Sequence, residues 1–291
     1  MKILYLQNGM HHKNQHALTE YKNIQLYEIN MPDDLDYINL TEFDCVYSPA
    51  TPINASKYPA TKFIFGPHFS IFPVENQIQM VKSKNAVYNL LSDWVVNIWK
   101  QYSYCDGLNI VTVPFGVDTT RFNEGSQSPQ NKTEIIIYYK NRNPSELQFV
   151  IDKLNKLSIK FSVFSYKQRY DENDYIDYLK RAKYCIWIDA HESQGFALQE
   201  ALSCNVPLLV WNISSMNQEY GQNYNKIPAT TIPYWDKRCG EVFYKTEEFV
   251  QTFEMFLSKL DTYKPREFIL ENLSEDVCEA KFINTINGIT I

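Results

Sequence analysis

The chain has 291 residues, which is enough for two domains of ordinary size, and 44% of them are hydrophobic, so we expect well-developed cores. A formal net charge of −6 at pH 7 argues against nucleic acid as a general partner. The N-terminal apolar run is too short for a signal peptide and no later stretch is long enough to span a bilayer, so we expect a cytoplasmic protein without an integral membrane segment.

The six cysteines are scattered through the chain and form no Cys-x-x-Cys pair. Zinc binding and thioredoxin-type chemistry therefore have no support. Cys185 falls in a predicted strand and Cys204 near a helix end, so reduced, buried thiols in a cytosolic protein are the simplest interpretation.

Short apolar runs alternate with polar segments in the first part of the chain. They predict strands over Ile3–Leu6, Ile24–Ile29, Cys45–Tyr47, Lys62–Phe65, Val87–Leu91 and Asn109–Val113. The spacing of Trp94, Val95, Ile98 and Trp99 predicts a helix with one buried face. The polar, turn-rich segment 123–132 is the expected linker between a first domain (residues 1–117) and a second (residues 118–265).

The second part of the chain alternates more regularly. It predicts strands over Glu134–Tyr139, Lys160–Phe164, Cys185–Ile188 and Val206–Trp211, and helices over Leu147–Leu157, over Tyr175–Ala182 and after Gly195. This alternation indicates a parallel α/β sheet with right-handed crossovers, in which ligands bind beyond the carboxyl ends of the strands. The loops 140–142, 165–167 and 191–195 converge at that edge.

The loop at 191–195 and the helix after it carry the most informative pattern. Gly195 allows a tight turn and close approach of a ligand, and the helix start at Phe196 and Ala197 offers free N–H groups to a phosphate. Glu192 precedes the glycine, and Glu200 lies eight residues after Glu192, about one turn into the helix. An acid at that position can accept two ribose hydroxyl hydrogens. Acid, glycine, helix start and second acid together predict a sugar-nucleotide site.

The Glu-x7-Glu spacing, with GFALQEAL inside it, resembles the signature of retaining glycosyltransferases of the two-Rossmann (GT-B) fold, family 4 (group 1) in particular. VPFGVDTTRF at 113–122, YYKNR at 138–142 and PREFILENLS at 265–274 are similar to further segments of that family. The resemblance covers residues 110–285 and is weak before them. It implies two Rossmann-like α/β domains facing across a cleft, with a C-terminal helix in the tail 266–291 crossing back to the first domain.

The resemblance also implies an activity. A sugar would pass from a nucleotide-diphosphate sugar, bound by the second domain, to a hydroxyl acceptor such as a glycan, bound by the first. The anomeric configuration would be retained, and neither a metal nor another cofactor would be required. Glu192 would contact the hydroxyls of the transferred sugar. Two alternatives stay open: a sugar-nucleotide epimerase of GT-B fold, and a nucleotide-sugar-binding protein that has lost transfer.

Further donor-binding candidates surround the two acids, and each has a simpler alternative. Lys140 and Arg142 follow a strand, and the bidentate fork of arginine favours Arg142 for the diphosphate, although both are also explained as solvated loop charges. Glu192 is alternatively a helix cap, and Glu200 an ordinary exposed helix acid. The remaining candidates for the donor site are Ser193 in the acidic loop, Ser165 and Tyr166 with Phe164 for the base, and Gly9 in the first domain.

The first domain offers one candidate catalytic side chain, His68 in GPHFSIFP, at the end of a predicted strand. The family resemblance implies that such a histidine lies beside the donor sugar, but His68 is equally explained as a structural histidine. His11, His12 and His16 lack the spacing of metal ligands. Asp34 and Asp36 match the Asp-x-Asp metal motif of the other glycosyltransferase fold, but they follow Met31-Pro32 at an expected helix start, where acids are common. We therefore predict no metal site.

Overall fold

The computed structural model describes residues 1–68, 71–126, 132–166 and 171–291. The chain forms two compact units. The first comprises Met1–Gly116 and Leu273–Ile291, and the second comprises Val117–Asn272. The chain returns to the first unit at Leu273 rather than at residue 266. Part of the expected linker, residues 127–131, lies outside the described residues.

The first unit contains a parallel sheet of six strands in the order β2-β1-β3-β4-β5-β6. The strands are β1 (Lys2–Leu6), β2 (Gln25–Ile29), β3 (Cys45–Ser48), β4 (Phe63–Phe65), β5 (Ala86–Leu90) and β6 (Ile110–Thr112). The helices of this unit are α1 (His12–Thr19), α2 (Glu75–Val81), α3 (Asp93–Trp99) and α9 (Glu275–Gly288). The predicted helix through Trp94–Trp99 is confirmed as α3, and it buries Val95, Ile98 and Trp99.

The second unit contains a parallel sheet of five strands in the order β11-β10-β9-β7-β8. The strands are β7 (Glu134–Tyr139), β8 (Ser162–Ser165), β9 (Ala182–Ile188), β10 (Leu208–Trp211) and β11 (Gly240–Phe243). The helices are α4 (Pro144–Lys156), α5 (Glu172–Arg181), α6 (Phe196–Ser203), α7 (Phe249–Ser258) and α8 (Pro265–Asn272). The predicted parallel α/β class is therefore confirmed. β11 was not predicted from the sequence.

Alternate residues of the central strands of the second unit bury opposite faces. Ile186 and Ile188 of β9 pack into a core with side chains of α4 and α7, including Leu154 and Phe253. The other face carries the stacked rings of Tyr138 and Trp187, whose centroids are 3.8 Å apart. A strand buried on both sides reads as a continuous apolar run, which explains why these strands were predictable.

The last helix is held within the first unit by polar contacts as well as by its apolar face. The buried carboxylate of Glu279 accepts hydrogen bonds from the backbone N–H (2.5 Å) and the side-chain amide (3.2 Å) of Asn23. The Lys62 ammonium donates to the carbonyl of Ile286 at 3.0 Å, where a cation complements the C-terminal end of a helix. Within the described residues, no helix is long and apolar enough to cross a membrane.

Candidate functional site

The candidate donor site lies at the carboxyl edge of the second sheet. β7 and β9 are neighbours in that sheet and run parallel, so the loops that follow them meet at one edge. Lys140 is the first residue after β7, and Asp189 is the first after β9. Three residues beyond Asp189, Glu192 completes a cluster of one base and two acids.

Lys140 and Glu192 form an ion pair between the lysine ammonium and Glu192 Oε1. Each side chain is 21% exposed, so the pair is partly accessible to a ligand. The Lys140 ammonium also lies 4.8 Å from the ring centroid of Tyr166, within the range of a cation–π contact. Burial lowers the pKa of Lys140, but the acid pair of Asp189 and Glu192 raises it more, so the ammonium stays protonated.

Asp189 is a functional candidate that the sequence analysis missed. Its residue is 2% exposed, and its carboxyl group accepts the N–H of Ala190 at 2.7 Å and shares a hydrogen bond with Glu192. Burial raises the pKa of Asp189 well above its usual range, the charge of Lys140 opposes that rise, and the charge of Glu192 adds to it. An acid directly after a buried strand, three positions before another acid, is the signal in the sequence that could have found it.

A second pair lies beside the first. His191 Nδ1 is 3.3 Å from Glu219 Oε2, and the side-chain amide of Asn141 donates to Glu219 Oε1 at 3.1 Å. Burial lowers the pKa of His191 and raises the pKa of Glu219, so both groups are shifted towards their neutral forms. The Tyr224 ring packs edge-on against His191, with centroids 5.4 Å apart. Glu219 and Tyr224 belong to the long segment between β10 and β11, which the sequence analysis did not connect with the site.

That segment is held at the edge of the sheet by hydrogen bonds that involve both side chains and backbone. The side chain of Asn212 accepts the N–H of Thr231 at 2.8 Å. The Thr231 hydroxyl donates to the carbonyl of Asp189 at 3.1 Å, and the N–H of Glu192 donates to the carbonyl of Thr230 at 3.1 Å. The segment between β10 and β11 therefore holds the loop that carries Asp189 and Glu192.

Gly195 adopts the left-handed conformation that its position requires. Its φ is +83° and ψ +52°, and α6 begins directly after it at Phe196. A Cβ at Gly195 would lie 3.5 Å from the Cβ of Glu192, which is ordinary contact, so the requirement for glycine is conformational rather than steric. Phe196 and Ala197 are partly buried and Ser193 is exposed, so the first turn of α6 and the acidic loop keep accessible groups.

Glu200 lies in α6 and is 3% exposed. The interpretation of Glu200 as an ordinary exposed helix acid is therefore wrong. Its role towards a ribose stays a prediction. Buried carboxylates are rare unless they are paired or serve a site, so its burial suits a functional role better than a solvated one.

The prediction that Arg142 binds the diphosphate requires a correction, because its guanidinium is bonded to other groups of the protein. Its side chain is fully buried and forms a two-pronged contact with Glu146, with Nε to Oε2 at 2.9 Å and Nη2 to Oε1 at 2.6 Å. Nη1 donates to the carbonyls of Asp189 at 3.0 Å and Trp211 at 2.9 Å. A guanidinium committed to these partners is not presented to a diphosphate, so the preference for Arg142 over Lys140 is reversed. Arg142 instead ties together the ends of β9 and β10.

The candidates for the base pocket divide between the interior and the surface. Phe164 is buried against Tyr175 and Tyr178, so its ring belongs to the core rather than to a pocket. Ser165 ends β8 and is partly buried, whereas Tyr166 is 52% exposed. Lys167, the last residue of that loop, lies outside the described residues.

In the first unit, Gly9 and His68 occupy loops at the carboxyl ends of β1 and β4. Gly9 has φ +74°, and a Cβ there would lie 2.7 Å from the Cβ of Ala50, so both conformation and space require glycine. The amide nitrogen of Asn14 lies 3.0 Å from His68 Nε2. Because an amide nitrogen only donates, Nε2 accepts. Burial, aided by His11, lowers the pKa of His68 to about 4, so the ring is neutral at pH 7.

The acids of the Asp-x-Asp sequence have local partners. Asp34 accepts the backbone N–H of Met31 at 3.0 Å, at the start of a short 3-10 helix. Asp36 accepts from the Lys57 ammonium, at 2.5 Å to Oδ2, and from the Tyr58 hydroxyl at 2.7 Å. Over the part of the chain that the structure describes, no group of three or more His, Cys, Asp or Glu side chains is arranged to hold a metal ion.

Comparison with known proteins shows a likeness in structure but not in sequence. No family model and no curated protein matches the sequence. A glycosyltransferase from Rickettsia africae superposes with a TM-score of 0.66 at 13% identity, covering 99% of this chain and 98% of that one. AviGT4, a glycosyltransferase involved in avilamycin A biosynthesis, superposes at 0.59 and 11% identity, with coverage of 99% and 98%. The fold is that of the GT-B glycosyltransferases. A sucrose-phosphate synthase from Thermosynechococcus elongatus shares it at 0.56 and 8% identity, covering 98% of each chain.

Proposed function

We propose that this GT-B protein is a glycosyltransferase that takes a sugar from a nucleotide-diphosphate sugar and passes it to a hydroxyl acceptor such as a glycan, with retention of configuration and without a metal ion. One observation carries the proposal. The Lys140–Glu192 pair stands at the carboxyl edge of a parallel sheet, and Glu192 lies three residues before the left-handed Gly195 that opens α6. A cation, an acid and a helix start at one edge of a sheet suit a diphosphate joined to a sugar.

The reaction needs negative charge on the departing diphosphate to be stabilised. The N–H groups at the start of α6 and the ammonium of Lys140 are fixed donors of the kind that stabilises developing charge without reorganisation. Arg142 contributes indirectly, because its bond to the Asp189 carbonyl holds the loop that carries Glu192. The N–H donors and Lys140 would together take the place of a metal ion.

Glu192 would orient the donor sugar through its hydroxyl groups. Lys140 and Asp189 both contact its carboxylate, so its direction is set before the donor arrives. In a retaining transfer of this kind, the departing phosphate accepts the proton of the attacking hydroxyl, so the proposal requires no separate protein base. Glu200 would hold the ribose from within α6.

A thermal-shift screen over nucleotide sugars tests the proposal. A donor present at about 100-fold its dissociation constant adds roughly 2.7 kcal/mol to the stability of the folded state. The best donor is then incubated with and without a hydroxyl acceptor such as an oligosaccharide mixture, and the products are separated. Transfer to acceptor or slow hydrolysis of the donor supports the proposal, and conversion of the donor to its epimer without acceptor assigns an epimerase instead. Failure of every nucleotide sugar to stabilise the protein contradicts it.

A matched pair of variants connects the screen to the site. Glu200→Ala should weaken the free energy of donor binding by about 2–4 kcal/mol, because the ribose hydroxyls lose their hydrogen bonds to the charged carboxylate. Glu254→Ala removes an exposed acid from α7 in the same unit and should leave donor binding unchanged. Equal affinities of the two variants for the donor would remove Glu200 from the site.

A further inference from the structure

Asp189 has a backbone whose position is fixed on both sides. Its carbonyl accepts hydrogen bonds from Arg142 Nη1 at 3.0 Å and from the Thr231 hydroxyl at 3.1 Å. Its own carboxyl group accepts the N–H of Ala190 at 2.7 Å. The same carboxyl group forms a hydrogen bond with the side chain of Glu192.

The three ionisable groups at this point cannot all be charged without cost. Lys140 supplies one positive charge, while Asp189 and Glu192 would together supply two negative charges in a buried setting. Two carboxylates in hydrogen-bond contact share one proton, because like charges at this distance disfavour a second ionisation. Asp189 is the more deeply buried of the two, and Glu192 is the one in contact with the ammonium. The proton therefore belongs on Asp189.

We propose that Asp189 is a positioning residue whose neutral carboxyl group donates a hydrogen bond to the Glu192 carboxylate. Glu192 then has a donor on each side, the acid O–H of Asp189 and the ammonium of Lys140, and its rotamer is fixed while it keeps its negative charge. Because Glu192 touches a donor sugar only if the proposed function holds, this role of Asp189 rests on that proposed function.

The role of Asp189 has a pH dependence set by its neighbours. Loss of its proton would place two negative charges side by side and remove one of the two donors that hold Glu192. Lys140 is the cation that faces the pair directly, and the guanidinium of Arg142 lies at the Asp189 carbonyl. The other titratable neighbours are His191, next to Glu192 in the chain, and its partner Glu219; burial lowers the pKa of His191 and raises the pKa of Glu219. Activity that depends on Asp189 should therefore fall as pH rises.

Two variants separate the hydrogen bond from the fold. Asp189→Asn keeps a side chain that donates a hydrogen bond and cannot ionise, whereas Asp189→Leu has the same branching at Cγ and donates nothing. We expect kcat for donor hydrolysis or transfer to be about tenfold or more lower in the Leu variant than in the Asn variant, as expected for one hydrogen bond to a charged group. Affinity for the bare nucleoside diphosphate, measured by calorimetry with uridine and guanosine diphosphates, should be equal in the two. Asp152→Asn on the exposed face of α4 is the control for loss of one acid.

A second measurement reads the proton directly and does not require turnover. In protein carrying ¹³C-labelled aspartate carboxyl groups, the resonance missing from Asp189→Asn identifies Asp189. It should stand at the protonated position at pH 7, whereas an ordinary aspartate titrates near pH 3.9. A resonance at the carboxylate position at pH 7 overturns the assignment of the proton, and an Asn variant as impaired in kcat as the Leu variant overturns the positioning role. A wild-type protein that processes no nucleotide sugar contradicts the proposed function and with it the link to a donor, while the resonance still decides where the proton is.

Discussion

The ammonium of Lys140 contacts the carboxylate of Glu192, although the two residues are 52 positions apart in sequence. The contact exists because β7 and β9 are adjacent parallel strands whose following loops meet at one edge. A cation already paired with an acid is held in place before a ligand arrives. On binding a diphosphate it can share its three N–H donors between the phosphate and Glu192, so the same lysine would connect the leaving group to the sugar-orienting acid.

Lys140 and Arg142 should respond to substitution in opposite ways. Lys140→Met should weaken binding of a nucleoside diphosphate by about 1.5–3 kcal/mol, the loss of one charge-assisted bond, with little effect on the melting temperature because the pair is partly exposed. Arg142→Met should cost about 3 kcal/mol of folding free energy, because it removes the buried guanidinium that pairs with Glu146 and donates to two buried carbonyls.

Calorimetric titration and thermal unfolding of both variants check this pair. A Lys140→Met protein that binds the diphosphate as wild type does would remove Lys140 from the donor site. An Arg142→Met protein of unchanged stability that has lost diphosphate affinity would restore the original preference for Arg142.

Substitution of Gly195 should reduce donor binding more specifically than it reduces the stability of the fold. Gly195→Ala forces a Cβ into φ +83°, at a cost of about 1–2 kcal/mol, although the space around it is free. Gly107→Ala places alanine at φ +75° in the first unit, again without a close clash, so its conformational cost is matched. Both variants should lose similar stability in urea unfolding, and only Gly195→Ala should weaken donor binding. Equal donor affinity in the two variants would show that the turn is merely structural.

The candidate residues that lie within one stretch of sequence can be recognised from local pattern. Glu192, Gly195 and Glu200 fall within nine residues, and they follow the continuous buried run Cys185–Ile188. Asp189 and Glu219 were missed because their importance depends on what the fold brings to them. Arg142 was misjudged for the same reason: a sequence shows a charge but not the buried partners that occupy it. Its i, i+4 spacing to Glu146 was a usable warning.

The strands also differ in how far their local sequence predicts them. The strongly apolar strand β7 was predicted with its observed bounds, whereas β9 begins at Ala182, three residues before its predicted start. β11 was missed because GEVF is four residues long and begins with a glycine. That glycine has φ +138°, and a Cβ would lie 1.9 Å from the carbonyl oxygen of Leu208 on β10. Its presence is explained by close approach of a neighbouring strand, which the sequence does not display.

His68 should make the protein less stable in mild acid. Its pKa is about 4 in the folded state, against an ordinary value of about 6.5, so between these values the unfolded chain binds more protons than the folded one. The contribution of neutral His68 is fully present above pH 6.5 and is lost as pH falls towards 4. His68→Gln, which still offers an acceptor to Asn14, should reduce the fall in melting temperature between pH 7 and about 5. His12→Gln, at an exposed position on α1, is the control, and an equal acid sensitivity of both variants would contradict the partly buried, neutral state of His68.

Turnover should survive removal of divalent cations. The proposed stabilisation of the diphosphate uses Lys140 and backbone N–H groups, and the acids of the Asp-x-Asp sequence are already bonded to Met31, Lys57 and Tyr58. Activity assayed in EDTA should equal activity in buffer alone. Complete loss in EDTA that Mg²⁺ or Mn²⁺ restores would contradict metal independence, and Asp36→Asn would then show whether the Asp-x-Asp sequence is responsible.

Glu192→Gln should separate orientation of the donor sugar from binding of the diphosphate. The amide keeps the size of the side chain and loses its negative charge, so contacts that strengthen as positive charge develops on the sugar are weakened most. We expect kcat to fall about 10²-fold, equivalent to about 2.7 kcal/mol of transition-state stabilisation, with a smaller change in the donor KM.

The same substitution should have the reverse effect on the bare nucleoside diphosphate. Without the Glu192 charge beside it, the Lys140 ammonium interacts with phosphate alone, so the affinity for uridine or guanosine diphosphate should stay equal or rise. Glu254→Gln on the exposed face of α7 controls for loss of an acid in the same unit. If Glu192 is only a cap for α6, the Gln variant should keep a kcat near that of wild type and lose about 1 kcal/mol of stability instead. Steady-state kinetics, calorimetry and thermal unfolding on one preparation of each variant decide between these outcomes.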